Sequence, residues 1–287
     1  MRKTTRLKEL LYADKIVLTP GVHDCMSAII AERVGFDVAY MTGFGASASL
    51  IGKPDVGILT RAEMAERARN LAMAVDIPVV GDGDDGFGNA IGMMRTIELY
   101  ESAGCAGIQL EDQVAPKRCG HMAGKRVVTF EEYLGKIEAA VAARKDPDFV
   151  IIARTDARAV NGIEDAIERM KACEKAGADA VFVEAVESVE EMKLVNSELK
   201  IPSIANMVEG GKTPSLTAQE LEDLGYALAV CPTAGTFAMA KAVMDVFEEL
   251  KRTGTTAGVK DRMIQFCDFN SLIGLDKYSE LEARFVR

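Results

Sequence analysis

Residues 117 to 121 read Lys-Arg-Cys-Gly-His, which places a thiol beside two cations and one of the chain's two histidines. Cationic neighbours favour the thiolate and lower a cysteine's pKa, so this spacing predicts a Cys119 able to exchange a proton. A solvated basic turn would have the same composition, but the flanking sequence argues for more. Just upstream, QLED (109–112) ends an apolar run in two carboxylates. Asp55, Asp82, Asp84 and Glu111 supply further carboxylates with no histidine or thiolate pattern beside them. Packed together, such groups repel unless a proton or a cation bridges them. An oxygen-only set suits Mg²⁺, with Mn²⁺ as a substitute, held through one or two carboxylates and several waters. The glycines of GDGDDGFGN (81–89) suit a backbone that bends sharply near a ligand, but its acidic side chains do not make a phosphate loop.

The surrounding elements must bring these groups together. Short apolar stretches fall at 15–21, 37–43, 77–84, 106–112, 149–157, 179–185, 201–207 and 227–233. Between them run segments of helical period, among them 61–75, 90–104, 129–145 and 163–177. Nearly continuous apolar strands alternating with amphipathic helices predict a parallel sheet covered by helices. Eight such units predict a (β/α)8 barrel, an α/β fold of TIM type. An open doubly wound sheet competes, but no G-x-G-x-x-G follows the first strand. Active sites in such barrels gather where strands end, and polar residues stand there: Thr42, Gly43, Asp82, Asp84, Glu111, Asp112, Arg154, Asp156, Glu184 and Asn206. One domain over 1–287 is expected, with the barrel over about 12–250 and a helical extension over about 258–287.

Composition narrows the function. Of 287 residues, 48% are hydrophobic and 27% charged, the balance of a globular protein, and no apolar run is long enough to span a bilayer. A formal charge of −10 argues against nucleic acid or an anionic membrane as partner. The N-terminus lacks an uninterrupted apolar region of the secretory kind. The six cysteines form no CxxC pair, so neither a zinc site nor a disulfide framework is expected, and the cytoplasm is the expected compartment.

KRCGH, DGD with GFGN, GKPDVG, QLED, ARTDA and ANMVEGGKTP together resemble the isocitrate lyase and phosphoenolpyruvate mutase superfamily, in order from about Leu7 to Leu281. The resemblance implies a (β/α)8 barrel whose eighth helix is exchanged between subunits, usually in a tetramer built as a dimer of dimers. It implies Mg²⁺ held directly by Asp82 and largely through water by Asp55, Asp84 and Glu111. A 2-oxo or 2-hydroxy acid would meet Thr42, Gly43, Phe44 and Arg154, with Gly120, Glu184, Asn206, Thr213 and Pro214 as further substrate contacts. KRCGH would be a mobile gating loop with Cys119 as acid, and the mutases lack that cysteine. Lys117, Arg118 and His121 would stabilise the thiolate, and Tyr40, His121 or a metal-bound water would serve as base.

Two departures bear on the substrate. Asp85 and Phe87 stand where the family usually has Thr and Tyr. Residues 208–214 read VEGGKTP, more like the 2,3-dimethylmalate and related 2-alkylmalate lyases than the 2-methylisocitrate lyases. The expected activity is retro-aldol cleavage of a 2,3-dimethylmalate-type acid to pyruvate and propionate. A 2-methylisocitrate lyase, an oxaloacetate hydrolase or decarboxylase, and a non-catalytic barrel binding a 2-oxo acid stay open as alternatives. The apolar residues of the tail over 261–287 call for a partner surface, expected from a neighbouring subunit.

Overall fold

Strand and helix alternate along the chain as their periods predict, and the computed structural model describes residues 1–286. In order come α1 (Lys3–Leu11), β1 (Val17–Val22), α2 (Cys25–Val34), β2 (Ala39–Met41), α3 (Gly43–Ile51), α4 (Arg61–Ala74), β3 (Val79–Asp82) and α5 (Ala90–Ser102). Then follow β4 (Gly107–Glu111), α6 (Phe130–Ala143), β5 (Val150–Thr155), α7 (Arg158–Asn161), α8 (Ile163–Ala176), β6 (Ala180–Val183), α9 (Val189–Glu198), β7 (Ile204–Asn206), α10 (Ala218–Asp223) and β8 (Leu228–Cys231). The C-terminal part holds α11 (Ala234–Thr253), a 3₁₀ turn at Ala257–Arg262, α12 (Phe266–Leu272) and α13 (Leu275–Phe285).

The eight strands are parallel in the order β6-β5-β4-β3-β2-β1-β8-β7, and a single bridge between Val181 and Ser203 brings the two ends of the sheet together. This nearly closed ring is a TIM-type barrel, as the sequence pattern predicts. Its inside is filled by Tyr40, Val80, Ile152, Phe182 and Val230, and Leu7 and Leu11 of α1 join that cluster. The first helix therefore packs into the barrel's interior layer rather than lying on the surface. Burying two leucines stabilises by about 1.5–3 kcal/mol each. A second apolar layer, including Met64, Ile97, Tyr133, Ile137 and Met170, fills the space between the strands and their covering helices.

Strand register sets which side chains meet. Asp82 is level with Gln109, Glu111 with Arg154, and Arg154 with Phe182, over whose ring the guanidinium lies at 5.1 Å. Side-chain caps open several helices that follow strands, Thr42 for α3, Asn89 for α5 and Thr129 for α6.

The chain divides into two compact units, residues 1–234 and 235–287. The division falls at the start of α11. In the second unit α11 buries only Thr236, while Phe237, Val243, Met244, Phe247 and Leu250 remain exposed, as do Phe266, Tyr278, Leu281 and Phe285. Among the described residues no helix is long and apolar enough to cross a membrane.

Candidate active site

Residues 112–114 and 126–128 zip together as Val114 N–H donates to the Arg126 carbonyl (2.8 Å) and Val128 N–H to that of Asp112 (2.9 Å). The KRCGH loop projects from this neck. Gln113 clamps its base, its Oε1 accepting from Arg118 N–H (2.9 Å) and its Nε2 donating to the Arg118 carbonyl (2.8 Å). Cys119 N–H donates to the Asp55 carbonyl at 3.2 Å, so the GKPDVG segment holds the loop from the other side.

Beneath the loop lie the carboxylates at the strand ends. Asp82 Oδ2 accepts from Gly43 N–H (3.0 Å), and its Oδ1 from Asp84 N–H (3.1 Å) and Gln109 Nε2 (3.4 Å). Any side chain at position 43 would place its Cβ 2.5 Å from Asp82 Oδ2, which explains the glycine. Lys117 reaches into the cluster, its ammonium 2.7 Å from Asp55 Oδ1 and 2.7 Å from Asp84 Oδ1. Burial pushes the Asp84 carboxyl up to about 7; Lys117 opposes the shift, and the Asp82 and Asp55 charges add to it. Glu111 is driven well above the usual carboxylate range, by burial foremost and by Asp156 and Asp84, against the pull of Arg154 and Lys117.

A second cluster adjoins the first. Arg154 lies 3.4 Å from Glu111, 3.2 Å from Asp156 and 3.0 Å from Glu184. Glu184, fully buried, also accepts from Asn206 Nδ2 (3.0 Å) and lies 2.9 Å from His121 Nε2. Burial would raise its pKa, but Arg154, His121 and Lys125 hold it down to about 2. Gly120 packs against Arg154 and Glu184 so closely that a Cβ would strike both. Asp55, Asp82, Asp84, Glu111, Lys117, Gly120, His121, Arg154, Glu184, Asn206, Tyr40, Gly43 and the Cys119 main chain thus meet in one connected network around the strand ends.

Several expected roles change. Lys117 pairs with Asp55 and Asp84 instead of serving the thiol, because the loop path turns its side chain into the carboxylates. Arg118 is exposed, and it is its main chain that is tethered. The Cys119 thiol is raised, not lowered: burial dominates, opposed by a hydrogen bond from the His121 main chain and by Arg154, while Asp55 and Glu184 reinforce it. Tyr40 is ill suited as a base. Its hydroxyl donates to Gln109 Oε1 at 2.7 Å, and burial drives its pKa well above the usual phenol value. His121 has both ring nitrogens engaged, Nδ1 accepting from Lys212 N–H (3.1 Å) and Nε2 facing Glu184. Thr213 lines a separate cavity of about 440 Å³ with Glu209 and Cys231, and Pro214 is half-buried next to it in the chain. Thr42 caps α3 with Phe44 half-buried beside it, at the positive end of that helix. Asp85 does not join the carboxylates. Its Oδ1 accepts from Phe87 N–H (3.0 Å) and holds a turn in which Asp84 and Phe87 both have positive φ, 45° and 57°.

Sequence reading missed Gln109, Gln113 and Lys125. The chain's own signal for Lys125 is its place just after Gly124, at the end of a loop already marked as chemical.

The donor set fits a hard divalent cation. It is all oxygen, Glu111 Oε1 is buried with no hydrogen-bond partner, and burial disfavours the charged forms of Asp84 and Glu111 in spite of Lys117 and Arg154, a cost that a bound cation would relieve. Among the described residues no three Asp, Glu, His or Cys side chains converge tightly enough to chelate an ion by themselves.

A parallel barrel whose polar groups gather at the strand ends under a cysteine-bearing loop has the architecture of a barrel enzyme. The phosphoenolpyruvate phosphomutase family model matches residues 7–251, and the chain belongs to the phosphoenolpyruvate mutase and isocitrate lyase superfamily. Similar proteins include the 2,3-dimethylmalate lyase of Eubacterium barkeri, 51% identical over 100% of this chain and 99% of that one. The chloroplastic carboxyvinyl-carboxyphosphonate phosphorylmutase of Arabidopsis thaliana is 45% identical (99% and 85% covered), and a 2-methylisocitrate lyase of Aeropyrum pernix 41% (98% and 90%). Among solved structures, a 2,3-dimethylmalate lyase superposes with TM-score 0.93 at 37% identity, covering 99% and 95% of the two chains. A phosphonopyruvate hydrolase complex with oxalate and Mg²⁺ gives 0.90 at 31%, covering all of both.

Proposed function

We propose that this protein is a Mg²⁺-dependent carbon–carbon lyase that cleaves a 2,3-dimethylmalate-type 2-hydroxy acid to pyruvate and propionate. The observation that carries the reading is a half-buried thiol, its pKa raised by its surroundings, on a loop tethered over the carboxylates. Full-length likeness to a 2,3-dimethylmalate lyase at 51% identity supports it. Mutase chemistry is disfavoured, because KRCGH provides a proton donor that phosphoryl migration has no use for.

Asp82, with Asp55, Asp84 and Glu111, would hold Mg²⁺, which supplies Lewis-acid stabilisation of negative charge on the bound acid. Arg154 and the N-terminal turn of α3 at Thr42, Gly43 and Phe44 receive the substrate carboxylate. As the bond breaks, the substrate hydroxyl gives up its proton to a water at the site, and the leaving carbanion takes a proton from Cys119. The thiolate left behind is stabilised by the His121 main-chain N–H and Arg154. Lys117 offsets the repulsion among the carboxylates and anchors the loop above them.

The chain works as a homotetramer in which α11, with its bare apolar face, is exchanged between subunits. All six cysteines are free thiols, which suits the reducing cytoplasm. The test is a product assay on dimethylmalate, methylisocitrate and oxaloacetate with Mg²⁺. Pyruvate plus propionate from dimethylmalate is expected as the fastest reaction, and faster turnover of methylisocitrate would overturn the substrate assignment. No turnover of any of the three, with oxalate still bound, would favour a non-catalytic acid-binding barrel.

A further inference from the structure

We infer that Lys125 is a positioning residue whose single ammonium latches the Cys119 loop shut and, through Asp156, ties that closure to the placement of Arg154. The inference rests on the reading of Cys119 and Arg154 given above. Lys125 is only 9% exposed, and its ammonium donates both to the Gly120 carbonyl and to Asp156 Oδ1 (2.7 Å). Gly120 directly follows Cys119, so this bond holds the Gly120–His121 peptide, one residue past the thiol.

Asp156 is a rigid anchor for such a latch. Its N–H donates to Asp112 Oδ1 at 2.8 Å, and Asp112 Oδ2 accepts in turn from Thr155 Oγ1 (2.6 Å) and Arg169 Nη1 (3.2 Å). Its other oxygen, Oδ2, faces Arg154 Nε at 3.2 Å. Arg154 Nη2 also reaches Oδ1, at 3.5 Å, so the latch and the guanidinium share one carboxylate.

The chain path gives the latch its leverage. Lys125 abuts the zipped neck, and Gly124 before it has a φ of +80°, a conformation that a non-glycine residue adopts only under strain. The neck and Asp156 stay put when the loop lifts, so the Lys125–Asp156 pair survives opening while the bond to Gly120 must break. A charge-assisted hydrogen bond of ordinary strength favours the closed state by about 10- to 150-fold. Without the ammonium, Asp156 has Arg154 as its remaining cation and draws the guanidinium away from Glu111 and Glu184. Loop closure and the carboxylate-binding arginine are therefore disturbed together.

The test is site-resolved alkylation by iodoacetamide, followed by mass spectrometry, on the full-length protein. Lys125→Met is expected to speed modification of Cys119 by about tenfold or more, with exposed Cys267 unchanged as internal reference. Lys125→Arg, which keeps charge and donors, is expected to return Cys119 to near the wild-type rate. In turnover, Lys125→Met is expected to lower kcat and raise KM together, and the Arg variant to restore both. An unchanged Cys119 rate overturns the latch, and so does equal acceleration at every cysteine, which would signal general loosening. If Lys125→Met does not fold, Lys125→Gln takes its place with the same outcomes. Because thiol accessibility is read without any substrate, failure of the proposed reaction and failure of the latch give different results.

Discussion

Replacing Cys119 by serine removes the proposed acid while keeping the side chain's shape. The thiol is already raised by burial, so at neutral pH it is present as the protonated donor that the reaction needs. A hydroxyl in the same place holds its proton far more tightly, and the leaving fragment must then find a proton from solvent through a loop tethered by Gln113, Asp55 and Lys125. A positioned general acid is worth about 10²- to 10⁴-fold in rate. That corresponds to about 2.7 to 5.4 kcal/mol of barrel-mouth catalysis. Steady-state pyruvate release is the assay. It should show kcat lowered by that factor with KM little changed, since Cys119 is not among the groups proposed to hold Mg²⁺ or the substrate carboxylate. Calorimetric Mg²⁺ binding should be unaltered. The wild-type kcat should also fall at alkaline pH, as the raised thiol finally ionises, and this limb should vanish in Cys119→Ser. A serine variant turning over at the wild-type rate would show the thiol to be a packing group and refute the mechanism.

Other consequences follow from the same geometry. EDTA should abolish turnover and Mg²⁺ or Mn²⁺ restore it, with Asp82→Ala losing metal in titration more severely than Asp84→Ala; full activity in chelator would exclude the site. Glu184→Gln strips one charge from a buried pair with Arg154 and should destabilise by about 3–5 kcal/mol in urea unfolding at pH 7. Because Glu184 is depressed to about 2, its contribution is fully present above the ordinary carboxylate range and is lost as pH falls toward 2. The variant should therefore lose less stability than wild type over that acid window, and parallel acid-unfolding curves would contradict the assignment. Light scattering should give a tetramer, and Phe247→Glu on the bare face of α11 should dissociate it; a wild-type monomer would refute helix exchange.

The barrel and the neighbourhood of its site could be read from the chain alone. An apolar run followed by helical period is a local pattern, and a strand's end is where a barrel must place its polar groups, so Asp82, Glu111, Arg154, Glu184 and Asn206 announced themselves in sequence. Their roles were decided elsewhere. Nothing in KRCGH tells which way Lys117 points, since a loop side chain follows the path the backbone takes between distant anchors. Here those anchors, Asp55 and Gln113, turn it into the carboxylates and away from the thiol. Burial is likewise a property of the whole molecule: it raises Cys119 where adjacent cations predicted a lowered thiol, and it makes a hydrogen-bond donor of Tyr40. The first helix shows the same limit. Its two buried leucines, Leu7 and Leu11, give too short a pattern to announce a partner, and only the closed strands reveal that they fill the barrel. Lys125 meets Asp156 across 31 positions of chain, a distance no local spacing encodes and only the folded strands close.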